Sequence, residues 1–218
     1  MRGRNVLTEK DVRDAIAGGR KRIAVPPGTI VTMLAEDLAR SSGVEIARGE
    51  HAGAAAAATP APTVTPGSGR RVAFGSDHGG FQLKQALIAY AGSLGYEILD
   101  LGTTSEEPCD YPDFAHAVAQ AVAAGKAWRG VAIDGAGVGS AIVANKVPGI
   151  RAACCHNEFV ARNSREHNDA NVLTLGSRVT GIEVCKEMMR IWLETWFAGG
   201  RHKGRVDKIS DVERHYIK

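Results

Sequence analysis

At 218 residues the chain is long enough for one substantial domain and an appendage. With 44% apolar and 23% charged residues it has the composition of a folded globular protein, and a net charge of +3 is too small to point to nucleic acid. No apolar run reaches the roughly 18–20 residues that span a bilayer, and the polar start lacks the apolar stretch of a secretory leader, so a cytoplasmic protein without a membrane partner is expected.

Residues 1–48 read as a small helical extension. Thr8 to Asp11 fits a capping box with Asp in the glutamate's place, ahead of Val12, Ala15 and Ile16 at helical spacing. Gly18 and Gly19 stop that helix, and residues 23–28 read as a short extended piece ended by a turn. Thr32 caps a second amphipathic helix carrying Met33, Leu34, Leu38 and Ala39, which Gly43 ends. So short a segment makes a poor core alone and is expected to need a partner surface. Residues 49–69 are rich in Ala, Pro, Thr and Gly without periodicity, the composition of a mobile linker.

From residue 70 to 218 the pattern becomes a regular alternation. Apolar strands are predicted at 72–75, 96–101, 130–133, 150–155 and 171–175. Helices are predicted at 81–94, 112–124, 138–145, 158–166 and 182–197. Five such strands alternating with helices predict an α/β fold, a parallel sheet covered on both faces. Ligands bind such sheets beyond the carboxyl ends of the strands, which directs attention to 76–80, 102–111, 134–140, 156–157 and 176–178.

The first strand ends in Ser76-Asp77-His78-Gly79-Gly80. Adjacent Asp77 and His78 suit polar substrate binding or proton transfer; the alternative is that Asp77 only caps the next helix. The third strand ends in Asp134-Gly135-Ala136-Gly137-Val138-Gly139-Ser140, an acid at the mouth of a glycine-rich turn. The amides of such a turn converge on an anion, a phosphate or a developing enolate oxygen. A dinucleotide fingerprint starting from Gly137 would need glycine where Ile142 stands, and the following strand ends in Cys155 rather than an acid. His167 and Asn168 lie among small polar residues before the fifth strand, and Arg178 follows that strand. Arg201 and Arg205, four apart, suit a phosphate clamp; the alternative is a solvated basic tail. Cys109, Cys154, Cys155 and Cys185 form no C-x-x-C pair, so neither a zinc nor a redox site is expected.

Together these motifs resemble the ribose-5-phosphate isomerase B family, which includes galactose-6-phosphate and allose-6-phosphate isomerases. The resemblance covers residues 70–215. It is carried by Gly75-Ser-Asp-His-Gly-Gly-Phe, Asp110-Tyr-Pro-Asp, the turn from Asp134 to Gly139, Ala144-Asn-Lys-Val-Pro-Gly-Ile-Arg-Ala, His167-Asn-Asp-Ala-Asn-Val-Leu, Gly176-Ser-Arg and Gly200-Arg-His. It implies a Rossmann-like three-layer α/β/α sandwich and an aldose–ketose isomerase, free of metal and cofactor, working through a cis-enediolate. It also implies a homodimer or tetramer with shared active sites.

Carried over residue by residue, Gly135, Ala136, Gly137, Val138 and Gly139 hold the enediolate oxygens. Asp77 and His78 contact the sugar, Tyr111 lines the pocket, and His167 assists ring opening beside Asn168. Arg178, Arg201 and Arg205 bind phosphate, some from the partner subunit. Many members have cysteine as base where this chain has Asp134, and others a glutamate where it has Ser140, a poor base. Asp134 is therefore the candidate base, its basicity expected to rise with desolvation. Ala136 replaces a hydroxyl residue found in many members.

Leading substrates are ribose 5-phosphate and ribulose 5-phosphate, with another aldose phosphate or a non-catalytic assembly subunit as alternatives. The segments 7–16 and 25–39 resemble N-terminal segments of bacterial microcompartment-associated proteins, which implies docking of residues 1–48 on shell or cargo proteins.

Overall fold

The computed structural model describes residues 6–26, 29–48 and 69–216. The expected linker lies outside the described residues except for Gly69, as do the side chains of Met33 and Leu34. The chain divides into two compact units, residues 1–62 and 63–218.

The first unit runs strand–helix–strand twice. Its elements are β1 (Val6–Leu7), α1 (Glu9–Ala17), β2 (Arg22–Val25), β3 (Ile30–Val31), α2 (Met33–Ser41) and β4 (Glu45–Arg48). β1 pairs with β3 and β2 with β4, both parallel. The Asp11 carboxylate accepts from the Thr8 amide at 2.7 Å and the Thr8 hydroxyl at 2.6 Å. The Thr32 hydroxyl oxygen accepts from the Ala35 amide at 3.3 Å. Each helix start thus satisfies a donor that would otherwise face water alone. Leu7, Val12, Val25, Ala35, Ala39 and Val44 close a small core of the unit's own. The two helices are where the pattern predicts them. β2 falls in the extended piece expected at 23–28, whereas β1, β3 and β4, of two to four residues, are too short to show alternation in sequence.

The second unit contains β5 (Arg71–Ser76), α3 (Phe81–Ser93), β6 (Glu97–Asp100), α4 (Tyr111–Ala123), β7 (Arg129–Asp134), α5 (Val138–Ala144), β8 (Ala152–Cys154), α6 (Glu158–Asn168), β9 (Val172–Gly176), α7 (Ile182–Glu194) and α8 (Lys203–Tyr216). Its five strands form one parallel sheet in the order β6-β5-β7-β9-β8. Side chains alternate across it. Val72 and Phe74 of β5 join the core beneath α3, α6 and α7, whereas Ala73 joins the smaller core beneath α4 and α5. This is the expected three-layer sandwich. A Cβ on Gly75 would stand 2.8 Å from Val118, and one on Gly130 2.5 Å from the same side chain, so these glycines let α4 approach the sheet. No helix of the described residues is long and apolar enough to cross a membrane.

Two C-terminal features depart from the sequence reading. The helix predicted over 182–197 ends at Glu194 because the buried Arg129 guanidinium takes its last carbonyls, donating to Trp192 (2.5 Å), Leu193 (3.1 Å) and Thr195 (3.0 Å). The segment after it is not merely a basic tail, since α8 follows. Only Val206 of α8 is buried, so its sequence shows little apolar periodicity.

Candidate active site

The chain goes from β5 to the sheet edge at β6 and returns to β7 on the other side of β5. That reversal opens a crevice at the carboxyl ends of β5 and β7, the usual ligand position in such a sheet. Asp77 and His78 follow β5 on one side of it, and Asp134 ends β7 on the other.

Asp134 is 5% exposed, and its carboxylate points into the turn that follows it. Oδ1 accepts from the amides of Ala136 (2.7 Å) and Gly137. Oδ2 accepts from the amide (2.8 Å) and the hydroxyl (2.7 Å) of Ser140. Burial pushes the carboxyl pKa upward, but the bonds from Ser140, Gly137 and Ala136 together outweigh it and hold it below the usual 3.8. The expected gain in basicity through desolvation is therefore reversed: an ionised carboxylate with four donors is stabilised as the anion. The Ala136 and Gly137 amides, assigned by resemblance to the enediolate, are here engaged by Asp134.

The turn is held from behind. Gly137 has φ +80°, and a Cβ there would meet Leu175 at 2.9 Å and Cys154 Sγ at 3.1 Å. Thr174 Oγ1 donates to the Gly137 carbonyl at 2.7 Å, and the amides of Ser177 and Arg178 donate to the carbonyls of Asp134 (2.8 Å) and Gly135 (3.1 Å). Those last two bonds bring Arg178 over the turn, with its Cδ 3.8 Å from where a Gly135 Cβ would stand. Among the described residues its guanidinium has no hydrogen-bond or ion-pair partner. The Tyr111 ring lies on Gly139, where a Cβ would come within 2.6 Å of it. The side chain of Val138 is exposed.

Asp77 does cap the following turn, its Oδ1 accepting from the Gly80 amide at 2.9 Å. Nδ1 of His78 lies 3.2 Å from both the amide nitrogen and the carbonyl oxygen of Cys109, which ties it to the segment leading into Tyr111.

A second group forms where α6 ends. His167 stacks on His202, with ring centroids 4.0 Å apart, and the Asn163 side-chain amide lies 2.9 Å from His167 Nδ1. Burial, with His167, Arg201 and Arg205 nearby, holds the His202 pKa below its usual value, opposed by Glu166. Arg201 and Arg205 are exposed beside it. Asn168 does not share the face of His167; it lines a groove of about 710 Å³ with Arg151, Ile209 and Val212 of the α8 side. Among the described residues, no hydrogen bond, ion pair or ring contact joins the His167–His202 group to the Asp134 turn.

Two residues carry no clear signal in the sequence. Ser140, a poor base by its side chain, stands six positions beyond the acid in the first turn of α5. His202 stands in Gly200-Arg-His, and no local pattern places it on His167. Of the four free cysteines, Cys155 and Cys185 are buried, and burial pushes their thiols up to about 12 and about 11.

The described residues thus present an acid gripped by its own amide-lined turn with Arg178 over that turn, and, apart from it, a His–Arg group at the end of α6. Residues 72–209, more than half of the chain, match the sequence profile of the ribose/galactose isomerase family. Ribose-5-phosphate isomerase B of Escherichia coli K12 is 47% identical over 145 residues, 66% of this chain and 97% of that protein. D-erythrulose-4-phosphate isomerase of Pectobacterium atrosepticum is 41% identical over 144 residues, 65% of this chain and 94% of that protein. The structure of ribose-5-phosphate isomerase B from Clostridium thermocellum superposes with a TM-score of 0.67 at 50% identity, covering 67% of this chain and 99% of that one. The chain belongs to the ribose/galactose isomerase family and is an aldose–ketose isomerase of sugar phosphates.

Proposed function

We propose that the protein interconverts ribose 5-phosphate and ribulose 5-phosphate, with Asp134 as the base. The observation that carries this reading is the ionised Asp134 carboxylate held at the carboxyl edge of β7 in a turn that Arg178 approaches at Gly135 and Tyr111 at Gly139. Asp134 takes the proton from C2 of the open-chain aldose, the C1 carbonyl becomes an enediolate oxygen, and the proton is returned to C1. A second proton passes from O2 to O1. His167 assists ring opening, His78 and Asp77 contact the sugar, and Arg178, Arg201 and Arg205 bind the phosphate; Asn168, turned to the groove at α8, takes no part. Gly135, Val138 and Gly139 line the turn with Ala136 and Gly137. The names of two relatives, acting on a pentose and a tetrose phosphate, support the substrate class.

A purified-protein assay against tetrose, pentose and hexose phosphates is expected to give its highest kcat/KM with ribose 5-phosphate. A higher value with another aldose phosphate would reassign the substrate, and no turnover with any of them would sink the catalytic reading. Protein lacking residues 1–69 should show the same profile. Those residues are the proposed docking segment for microcompartment shell or cargo proteins, a role supported by the separate core of the first unit. Co-assembly with shell proteins that survives the deletion would defeat it.

The site is proposed to be shared between two subunits. Tyr111, Val138, Ile142, Phe159, Val179 and Ile182, on segments leaving the carboxyl side of the sheet, are all more than a third exposed. Among the described residues, no hydrogen bond or ion pair links Arg201 or Arg205 to the Asp134 turn within one chain. Asp134→Asn protein mixed and re-associated with an Arg201→Ala, Arg205→Ala double variant should regain turnover, because one site of each mixed dimer is intact. Activity no greater than the sum of the two separate variants would place all the residues of a site on one chain.

A further inference from the structure

The geometry points to Ser140 as a positioning residue of this isomerase: its hydroxyl fixes the Asp134 carboxylate and is the one donor able to turn when that carboxylate takes up the substrate proton. The inference rests on Asp134 being the base.

A carboxylate has about four acceptor positions, and a free one rotates with a broad, roughly two-fold preference. Here four donors fill those positions from two directions. Ala136 and Gly137 hold Oδ1 from the turn, and Ser140 holds Oδ2 from the first turn of α5. The plane of the acid is set by this grip.

Three of the four donors are backbone amides, whose hydrogens have no freedom to reverse. The Ser140 hydroxyl is both donor and acceptor and rotates to suit. For the proton from C2 of the substrate to bind Asp134, one of the four contacts must first open; the amide hydrogens cannot withdraw, so the lone pair that becomes free is the one on Oδ2 that the Ser140 hydroxyl releases. On Oδ2, Ser140 Oγ at 2.7 Å turns its own hydrogen aside and accepts. When the proton leaves for C1, the hydroxyl returns to donating. Ser140 is 1% exposed, so water does not replace it at that position.

Other titratable groups on the packed elements are Asp77 and His78 after β5, Tyr111, Asp113 and His116 on α4, Cys154 on β8 and Arg178 after β9. None of them hydrogen-bonds to the Asp134 carboxylate among the described residues, and the leading influences on its pKa are burial, which raises it, and the bonds from Ser140, Gly137 and Ala136, which lower it.

Ser140→Ala keeps the residue-140 amide and removes only the hydroxyl. The full-length variant is compared with the parent by the pH profile of kcat/KM and by carbon-13 NMR titration of the Asp134 carboxyl. Both the acid limb and the titration midpoint should rise by about one pH unit, the scale of one hydrogen bond to a charged group. Ser140→Thr, which keeps the hydroxyl, should bring both back. If neither moves while Asp134→Asn is inactive, the role of Ser140 alone is overturned. If the carboxyl titration moves and the acid limb does not, Asp134 is not the base, and both readings fall together.

Discussion

Asp134→Asn is expected to lower kcat by about 10²–10⁴-fold, the usual range for removing a general base. The fold should survive. The asparagine oxygen can still accept from Ala136 and Gly137, but its NH₂ group would face the Ser140 amide, at a cost of about 1–3 kcal/mol. Denaturant unfolding of the variant beside steady-state kinetics checks both parts. Turnover close to that of the parent would remove the carboxylate from the mechanism.

The same residue sets a pH signature. Its folded pKa lies below the ordinary 3.8, so the base stays ionised as pH falls, and its share of the activity is lost only below that value. A thiol base, with a reference pKa of about 8.5, would begin losing activity far higher on the scale. The linked stability has the sign of a depressed carboxyl. It is fully present above the unfolded-state pKa and disappears as pH falls through the folded one, so the stability advantage over Asp134→Asn should shrink only below about pH 4.

The second large effect falls on stability and is asymmetric. Lys84 on α3 is fully buried, and its ammonium donates at 2.5 Å to Asp100 Oδ1 at the end of β6. The same oxygen accepts from the Gly102 amide at 3.0 Å, at the start of the segment that leads to Tyr111. Asp100→Ala leaves a buried ammonium without its counter-charge and should cost about 3–5 kcal/mol. Lys84→Met should cost clearly less, because the Asp100 side chain is 37% exposed and can be rehydrated while Met fills much of the lysine's volume. Urea denaturation of the two variants reads the order directly. Equal losses would mean that the buried charge is not what decides it.

Part of this molecule is legible in the chain alone. The alternation of apolar runs with helical periods determines five strands and the helices between them, because each element buries a face whose spacing is local. Glycines at 135, 137 and 139 behind an acid determine a tight turn at a strand's end, since only glycine tolerates the positive φ at 137 and the ring of Tyr111 against 139. The motif series from Gly75 to His202 determines the family. β1, β3 and β4 of the first unit and α8 escape such reading, being too short or having too few buried residues to establish a period.

What only the tertiary structure decided is direction and pairing. The order β6-β5-β7-β9-β8 leaves no mark on local periodicity, yet it places Asp77 and Asp134 on opposite sides of one crevice. Asp134 as a letter does not show which groups hold its carboxylate. The donors from Ala136, Gly137 and Ser140 grip it, and they reverse the pKa shift that burial alone would produce. His167 and His202 stand 35 positions apart and share a stack because α6 and the turn after α7 end at the same place. Contacts of that kind depend on where distant backbones meet, a property of the packed whole and of no single stretch of residues.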